Sequence, residues 1–357
     1  MTEFWTLGVA SLRRIGSTAE RVEAAGWDGL GVVDSQNLSG DCYVALAIAA
    51  SHTRRLKLAT AVTNPITRHP AVTAAAIASV HFVSGGRAVL GIGRGDSALA
   101  HLGRAPARVA DFERYLKTLQ AYLAGASVPF DELAFSESVA PPVDSLALAH
   151  SPGTSTIGWL PGSFPKVEVE VAATGPKVLA AAARHADRVV LGLGADPERV
   201  AWAIEHIRQT RVDAGLDPDT IEIGSYVNVA PHNDLATARD LVRGGLSTFA
   251  RFSIMHGEVA SPASSAQREV LEQVHREYDM TSHTKGDSAQ ATGLPDAFVD
   301  SMAVVGPVDH CIDRLRELLD LGVTKLMFAL GTSEADPEAG ALSQLLVTSE
   351  VIPALRS

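Results

Sequence analysis

Cysteine is scarce: the 357 residues hold two, Cys42 and Cys311, in no CxxC or metal-binding spacing. That excludes a disulfide scaffold and a cysteine zinc site, and isolated thiols point to a reducing cytoplasm. No apolar run reaches ~18 residues, so no membrane span is expected. The opening MTEFWTLGVASLRR lacks a basic stretch followed by a long apolar one, which argues against a signal peptide. A basic excess is missing too. The net charge is −11, and the acids are not gathered into one tail. Neither nucleic acid nor an anionic membrane surface is then an expected partner, because both want basic patches; a small molecule is. The twelve histidines are dispersed and no HExxH occurs, so no metal is expected. There is no GxSxG elbow, no solenoid-period repeat and no low-complexity tract.

What is present is a rhythm. A hydrophobic content of 46% suits a soluble globular chain, and the length is enough to bury a large core. Short apolar runs alternate with helical spacings: strands at Phe4–Val9, Trp27–Asp34, Leu56–Val62, Ala88–Ile92, Val167–Ala173, Arg188–Gly192, Ile221–Ala230 and Lys325–Leu330. Helices between them include Ser11–Ala25, Cys42–Ser51, Phe112–Leu123, Pro176–Ala186, Glu198–Ala214, Leu235–Phe249, Pro307–Leu321 and a closing Ala339–Leu355. Eight parallel βα units favour a closed (β/α)8 TIM barrel, read as one domain over 1–357. Two stretches break the rhythm. The Pro-, Ser- and Gly-rich 127–164 reads as an insertion over the top of the barrel, or as a plain inter-domain linker. The polar helical pieces of 253–300 read as a second insertion, a lid or a dimer element.

The stretch Leu58–Arg104 organises the rest. Two successive strands end in polar, glycine-bearing turns, Thr63-Asn64-Pro65 and Gly93-Arg94-Gly95-Asp96, on the same side of the sheet. In α/β folds ligands bind beyond the carboxyl ends of the strands. Gly91–Asp96 misses the dinucleotide fingerprint, because Asp96 stands where the third glycine belongs. It reads either as an ordinary tight turn or as glycines that let the backbone approach a flat ring and aim Asp96 at it. Asp34, closing the second strand, is a working carboxylate or a helix N-cap. Thr174-Gly175-Pro176-Lys177-Val178 opens a helix: Thr174 is a plausible N-cap, and the free amides with Lys177 suit an anion, or simply a capped helix. His69 reads as a capping or core histidine; His101, His232, His256, His275 and His283 read as solvated or loop residues. The strict alternation Lys166–Val171 puts Glu168 and Glu170 on one face, a costly pairing with no ready account.

TNPITRHPAVTAAAIASV (63–80) followed by SGGRAVLGIGRGDSALAHLGR (84–104) resembles the bacterial luciferase-like superfamily, in its deazaflavin (coenzyme F420)-dependent branch. The resemblance implies a luciferase-like TIM barrel that transfers hydride between the deazaflavin and a small substrate with an imine, activated alkene or carbonyl. It implies cofactor contacts from Asp34, Ala61, Val62, Thr63, Asn64, Arg94, Gly95, Asp96, Thr174, Gly175, Lys177 and Val178. It also implies a non-prolyl cis peptide within Thr60–Val62, catalytic roles for Asp96 (proton donor) and Asp34, and a homodimer. Many relatives carry His after the first acid; this chain has Ser35, which disfavours a histidine-type alcohol or sugar-phosphate dehydrogenase. Two rival readings are an FMN-dependent monooxygenase of the same fold and a barrel that binds a ligand without catalysis.

Overall fold

The computed structural model describes residues 2–133 and 135–357. Nine strands, all paired in parallel, run β1 (Glu3–Gly8), β2 (Gly29–Val32), β3 (Lys57–Thr60), β4 (Ala88–Ile92), β5 (Glu168–Ala173), β6 (Arg188–Leu191), β7 (Glu222–Pro231), β8 (Val304–Gly306) and β9 (Lys325–Leu330). The order is β6-β5-β4-β3-β2-β1-β9-β7-β8, and a β6–β7 pairing closes eight of them into the expected barrel. The ninth, β8, was not anticipated. It pairs only with Val229–Pro231, the upper end of β7, above the Glu222–Ser225 segment that pairs with β6.

Side chains alternate across each strand, so every second residue enters the barrel. The interior falls into three layers. Its floor is charged and includes Glu3, Lys57, Glu168, Glu170, Arg188, Glu222 and Lys325. Its middle is apolar: Trp5, Ala59, Val89, Val190, Tyr226 and Met327 pack together. Its mouth is lined by Leu7, Gly31, Ala61, Gly93, Ala172, Gly192, Asn228 and Ala329, so small residues predominate where the strands end. The other face of the strands packs on the helices, with Leu30, Leu58, Leu90, Val171 and Leu326 fully buried.

The floor accounts for Glu168 and Glu170. They are not a like-charge pair in isolation. Arg188 Nε lies 2.9 Å from Glu168 and 3.3 Å from Glu170, its guanidinium also pairs with Glu222, and Lys325 Nζ donates to Glu170 at 2.6 Å. Lys325 also stands 3.3 Å from the centre of the Trp5 ring. Alternation of sign from strand to strand offsets the desolvation of each charge.

Two further readings change. The 127–164 segment does not lie over the mouth. It leaves and rejoins the barrel at the amino ends of the strands and follows the outside of the helix Pro70–Val83. Trp159 borders that helix at Ala71, Val72, Ala75, Ala76 and Ser79, Phe164 meets His81 and Phe82, and Phe135 stacks on His69 at the far end. The helix after β7, Leu235–Ser253, is not an outer helix of the barrel. It runs back across the mouth, and the outer helix of that unit is Val308–Asp320. With the helices Ser265–Glu277, Ala289–Thr292 and Asp296–Met302 it builds a cap that has its own core of Leu241, Leu246, Leu271, Phe298 and Met302. The second insertion therefore starts just after Pro231, not at residue 253. Among the described residues, no helix is long and apolar enough to cross a membrane.

Candidate active site at the barrel mouth

Asp34 caps no helix; Asp41 does that, accepting from the amides of Tyr43 and Val44 at the start of Cys42–His52. Asp34 is instead buried, and its Oδ2 accepts from Thr63 Oγ1 at 2.7 Å and from Arg68 at 2.9 Å. The second guanidinium nitrogen of Arg68 reaches Asp41 at 2.7 Å, and the group lies over the Tyr43 ring. Burial works against the Arg68 charge, yet Asp34, Tyr43 and Asp41 together raise its pKa above the ordinary value. So Asp34 braces the β3 loop, accepting the hydrogen bond of the fully buried Thr63 hydroxyl.

The β3 and β4 loops are laced together. Thr63 N–H donates to Gly91 O, and Gly93 N–H to Thr63 O, each at 3.0 Å. The Ala61–Val62 peptide is cis, inside the expected interval. Asn64 Oδ1 accepts from the amides of Ile66 and Thr67, which fixes the orientation of its side chain. Its Nδ2 is then a buried donor without a partner. Gly95 has φ +93°, and a β-carbon there would fall 2.5 Å from Leu99 and 3.2 Å from Asn64. Only glycine allows the β4 turn to close against Asn64 in this way. Ser35 Oγ lies 3.2 Å from Ser97 Oγ, joining the β2 and β4 loops.

The cap supplies the residues that the sequence did not flag. Arg251, near the end of the helix across the mouth, forms an ion pair with Asp96 Oδ1, while Asp96 Oδ2 is buried without a partner. Arg251 also lies 5.0 Å from the centre of the Tyr278 ring, and Tyr278 Oη is 2.7 Å from His283 Nδ1. Arg94 donates through Nε to Ala107 O and points both terminal nitrogens at His256 Nε2, 3.2 Å from each. His256, exposed in the turn after that helix, and His283, half-buried in a loop, are loop histidines as expected, and they reach Arg94 and Tyr278. Burial is the first cause lowering the pKa of each; Arg94 and Arg251 add to it at His256, while at His283 Asp96 opposes it and Arg251 adds to it. Phe249 stacks beside Tyr226 above Gly192. No local pattern announces Arg251 or His256, because their contacts with Asp96 and Arg94 span 155 and 162 residues of chain.

At the β5 turn the cap residue of the helix Pro176–His185 is Gly175, with no side-chain cap. Thr174 turns its hydroxyl to Phe252 O at 3.3 Å instead of capping. Val178 N–H already donates to Gly175 O, so the amide of Lys177 remains for an anion, and the space beside Gly175 is open. His69 caps its helix through Nδ1, as its sequence context suggests. Among the described residues, no group of three or more His, Cys, Asp or Glu could hold a metal ion.

A closed parallel barrel with a small-residue mouth, two interlocked polar loops and an acid under a helical cap gathers its polar groups at the carboxyl face, where α/β barrels bind their ligands. The luciferase-like monooxygenase family model matches residues 3–325, and the chain belongs to that family of oxidoreductases. It is 28% identical over 323 residues to the 5,10-methylenetetrahydromethanopterin reductase of Methanolobus tindarius, covering 88% of this chain and 89% of the relative. To the enzyme of that name from Archaeoglobus fulgidus it is 29% identical over 347 residues, 94% and 93% of the two chains. The fold is shared with the coenzyme F420 dependent tetrahydromethanopterin reductase of Methanopyrus kandleri (TM-score 0.70, 20% identity, 99% of each chain).

Proposed function

We propose that this chain is an F420-dependent oxidoreductase that exchanges hydride between the deazaflavin and a small organic substrate bearing an imine, activated alkene or carbonyl. The observation that carries this reading is the mouth itself. Gly31, Ala61, Gly93, Ala172, Gly192 and Ala329 put no long side chain into the mouth, and the fixed Asn64 Nδ2 is a buried donor that nothing else satisfies. The likeness in sequence to enzymes named as methylenetetrahydromethanopterin reductases supports it.

F420, when bound, supplies the hydride chemistry; the protein's share is position, electrostatics and exclusion of water. The backbone of Ala61–Thr63 and Asn64 would hold the ring, braced by Asp34 and Arg68. Gly175 and Lys177 would take the phosphate of the tail. Asp96 Oδ2 is the atom free to hold or move a proton, since Arg251 occupies Oδ1. Phe249 and Phe252 shield the mouth from solvent. Titrating the apo-protein with F420 and with FMN tests the reading: F420 should bind and, reduced, be consumed with an imine, enone or ketone. Binding of FMN alone would favour the monooxygenase that the family description also covers. Tight binding with no turnover by any donor or acceptor would favour a non-catalytic barrel.

Two features bear on setting. Buried, unpaired Cys42 and Cys311 fit work in a reducing cytoplasm. The helix Pro70–Val83 exposes Val72, Phe82 and Val83 beside Trp159, an apolar face that a second copy of the chain would cover. Light scattering should give a dimer, and Val72→Glu with Phe82→Glu should give a monomer.

A further inference from the structure

Two arginines stand at the mouth between the β4 loop and the cap. Arg251 pairs with Asp96, Arg94 meets His256, and Asp279 is a second carboxylate beside Tyr278; in electrostatic terms His256 feels Arg94, Arg251 and His275, and His283 feels Asp96, Arg251 and His101. Both guanidiniums belong to a chain whose net charge is −11. Arg94 is the sharpest case. It is half-buried, its three nitrogens are satisfied only by a carbonyl and a neutral-type imidazole acceptor, and among the described residues no carboxylate lies within ion-pair distance of it. Burial lowers its pKa with nothing opposing. A guanidinium in that setting gains most from a carboxylate, whose two oxygens match its two parallel N–H groups.

We propose that Arg94 and Arg251, with His256, form a carboxylate-binding subsite beside Asp96, between the β4 loop and the cap. The carboxylate takes the guanidinium edge of Arg94 that now meets His256, while Arg251 bridges it to Asp96 Oδ1. A carboxylate could reach this place from two sources, an anionic substrate or the acidic tail of F420. The substrate arm rests on the function proposed above; the binding chemistry itself does not.

The test uses the full chain without cofactor. Succinate is titrated calorimetrically at neutral pH, with uncharged succinamide as the control. Succinate should bind in the millimolar range and succinamide should not. Arg94→Met and Arg251→Met should each weaken succinate about tenfold or more. Arg94→Gln, which keeps length and hydrogen bonding without charge, serves beside them, and a thermal melt confirms that each variant is folded. Succinate that fails to bind the wild type, or binds folded variants as well, overturns the proposal. F420 and its tail-less 8-hydroxy-5-deazaflavin core then separate the sources. If the variants weaken F420 about tenfold but not the core, the carboxylate is that of the tail; if both bind unchanged while succinate is lost, it is the substrate's. A protein that binds succinate and no deazaflavin keeps the subsite and refutes the proposed function.

Discussion

Arg68→Met tests how the β3 loop is held. Arg68 joins two carboxylates through different nitrogens, and the two contacts are unequal. Asp34's side chain is only 3% exposed and Asp41's is 46% exposed. The Asp41 contact, in water, is worth ~0.5 kcal/mol or less. Losing the Asp34 contact leaves a buried carboxylate with one hydroxyl donor, which costs about 3–5 kcal/mol, much of it the price of the orphaned charge. The lost stacking on Tyr43 adds ~0.5–1 kcal/mol, partly made up by the methionine. The total expected is about 3–5 kcal/mol. With a urea m-value of ~3 kcal/mol/M for a chain of this size, the unfolding midpoint should drop by about 1–1.7 M. Asp34→Asn in the same background should restore about half of the loss, because an amide needs no counter-charge; Asp41→Asn should restore none. Arg68→Lys should behave more like Met than like Arg, since one ammonium cannot span both acids. A midpoint shift below ~0.3 M for Arg68→Met, or strictly additive effects of Asp34→Asn and Arg68→Met, would refute the assignment of Asp34 as a buried charge braced by arginine.

Lys325→Met, on the barrel floor, should cost about 3–5 kcal/mol in urea unfolding and should be largely rescued by Glu170→Gln, because Lys325 and Glu170 are buried against each other. Asp96→Asn should cut F420-dependent turnover roughly 100-fold or more while F420 affinity in a fluorescence titration stays within about threefold; unchanged turnover would remove Asp96 from proton transfer. Ala172→Phe should abolish F420 binding with little change in melting temperature, as its side chain enters the mouth rather than the core. Acid should destabilise the protein early. Burial holds the pKa values of His69, His81, His256 and His283 below the ordinary histidine value of 6.5. The unfolded chain thus binds more protons than the native one as pH falls through 6.5, so stability present at pH 7 is lost on the way down to their folded pKa values. Urea midpoints should fall between pH 7 and 5, and His81→Phe should flatten the slope; a flat profile in the wild type would contradict the sign.

The barrel was readable because its signals are local. Each strand is a short apolar run, several helices begin at a capping residue or a proline, and Gly26, Gly95 and Gly215 stand at positive φ where the patterns break. The same locality explains the Glu168/Glu170 puzzle. Alternation correctly put both on the inner face, but Arg188 and Lys325, which neutralise them, sit on other strands, 18 residues or more away in sequence. β8 was invisible for a related reason: three residues are too few to show a period, and they form a strand only because β7 rises past the end of β6 to offer them an edge.

The helix Leu235–Ser253 shows where sequence reading stops. Its amphipathic spacing is that of any outer barrel helix, and nothing in the pattern tells one apolar partner from another. The clue that carried information is the pair Gly244-Gly245, which a stable outer helix has no reason to keep. A β-carbon on Gly245 would fall 2.6 Å from Asn228 Oδ1 at the mouth, and one on Gly244 2.5 Å from Thr284 O in the cap. The helix is thus squeezed between barrel and cap, and only that close approach brings Arg251 onto Asp96. The two loops that the sequence marked are half a site. The other half arrives on an element whose destination is set by two missing side chains, so widening either glycine to leucine should lift the helix, separate Arg251 from Asp96 and uncouple cap from barrel without unfolding the barrel's own core.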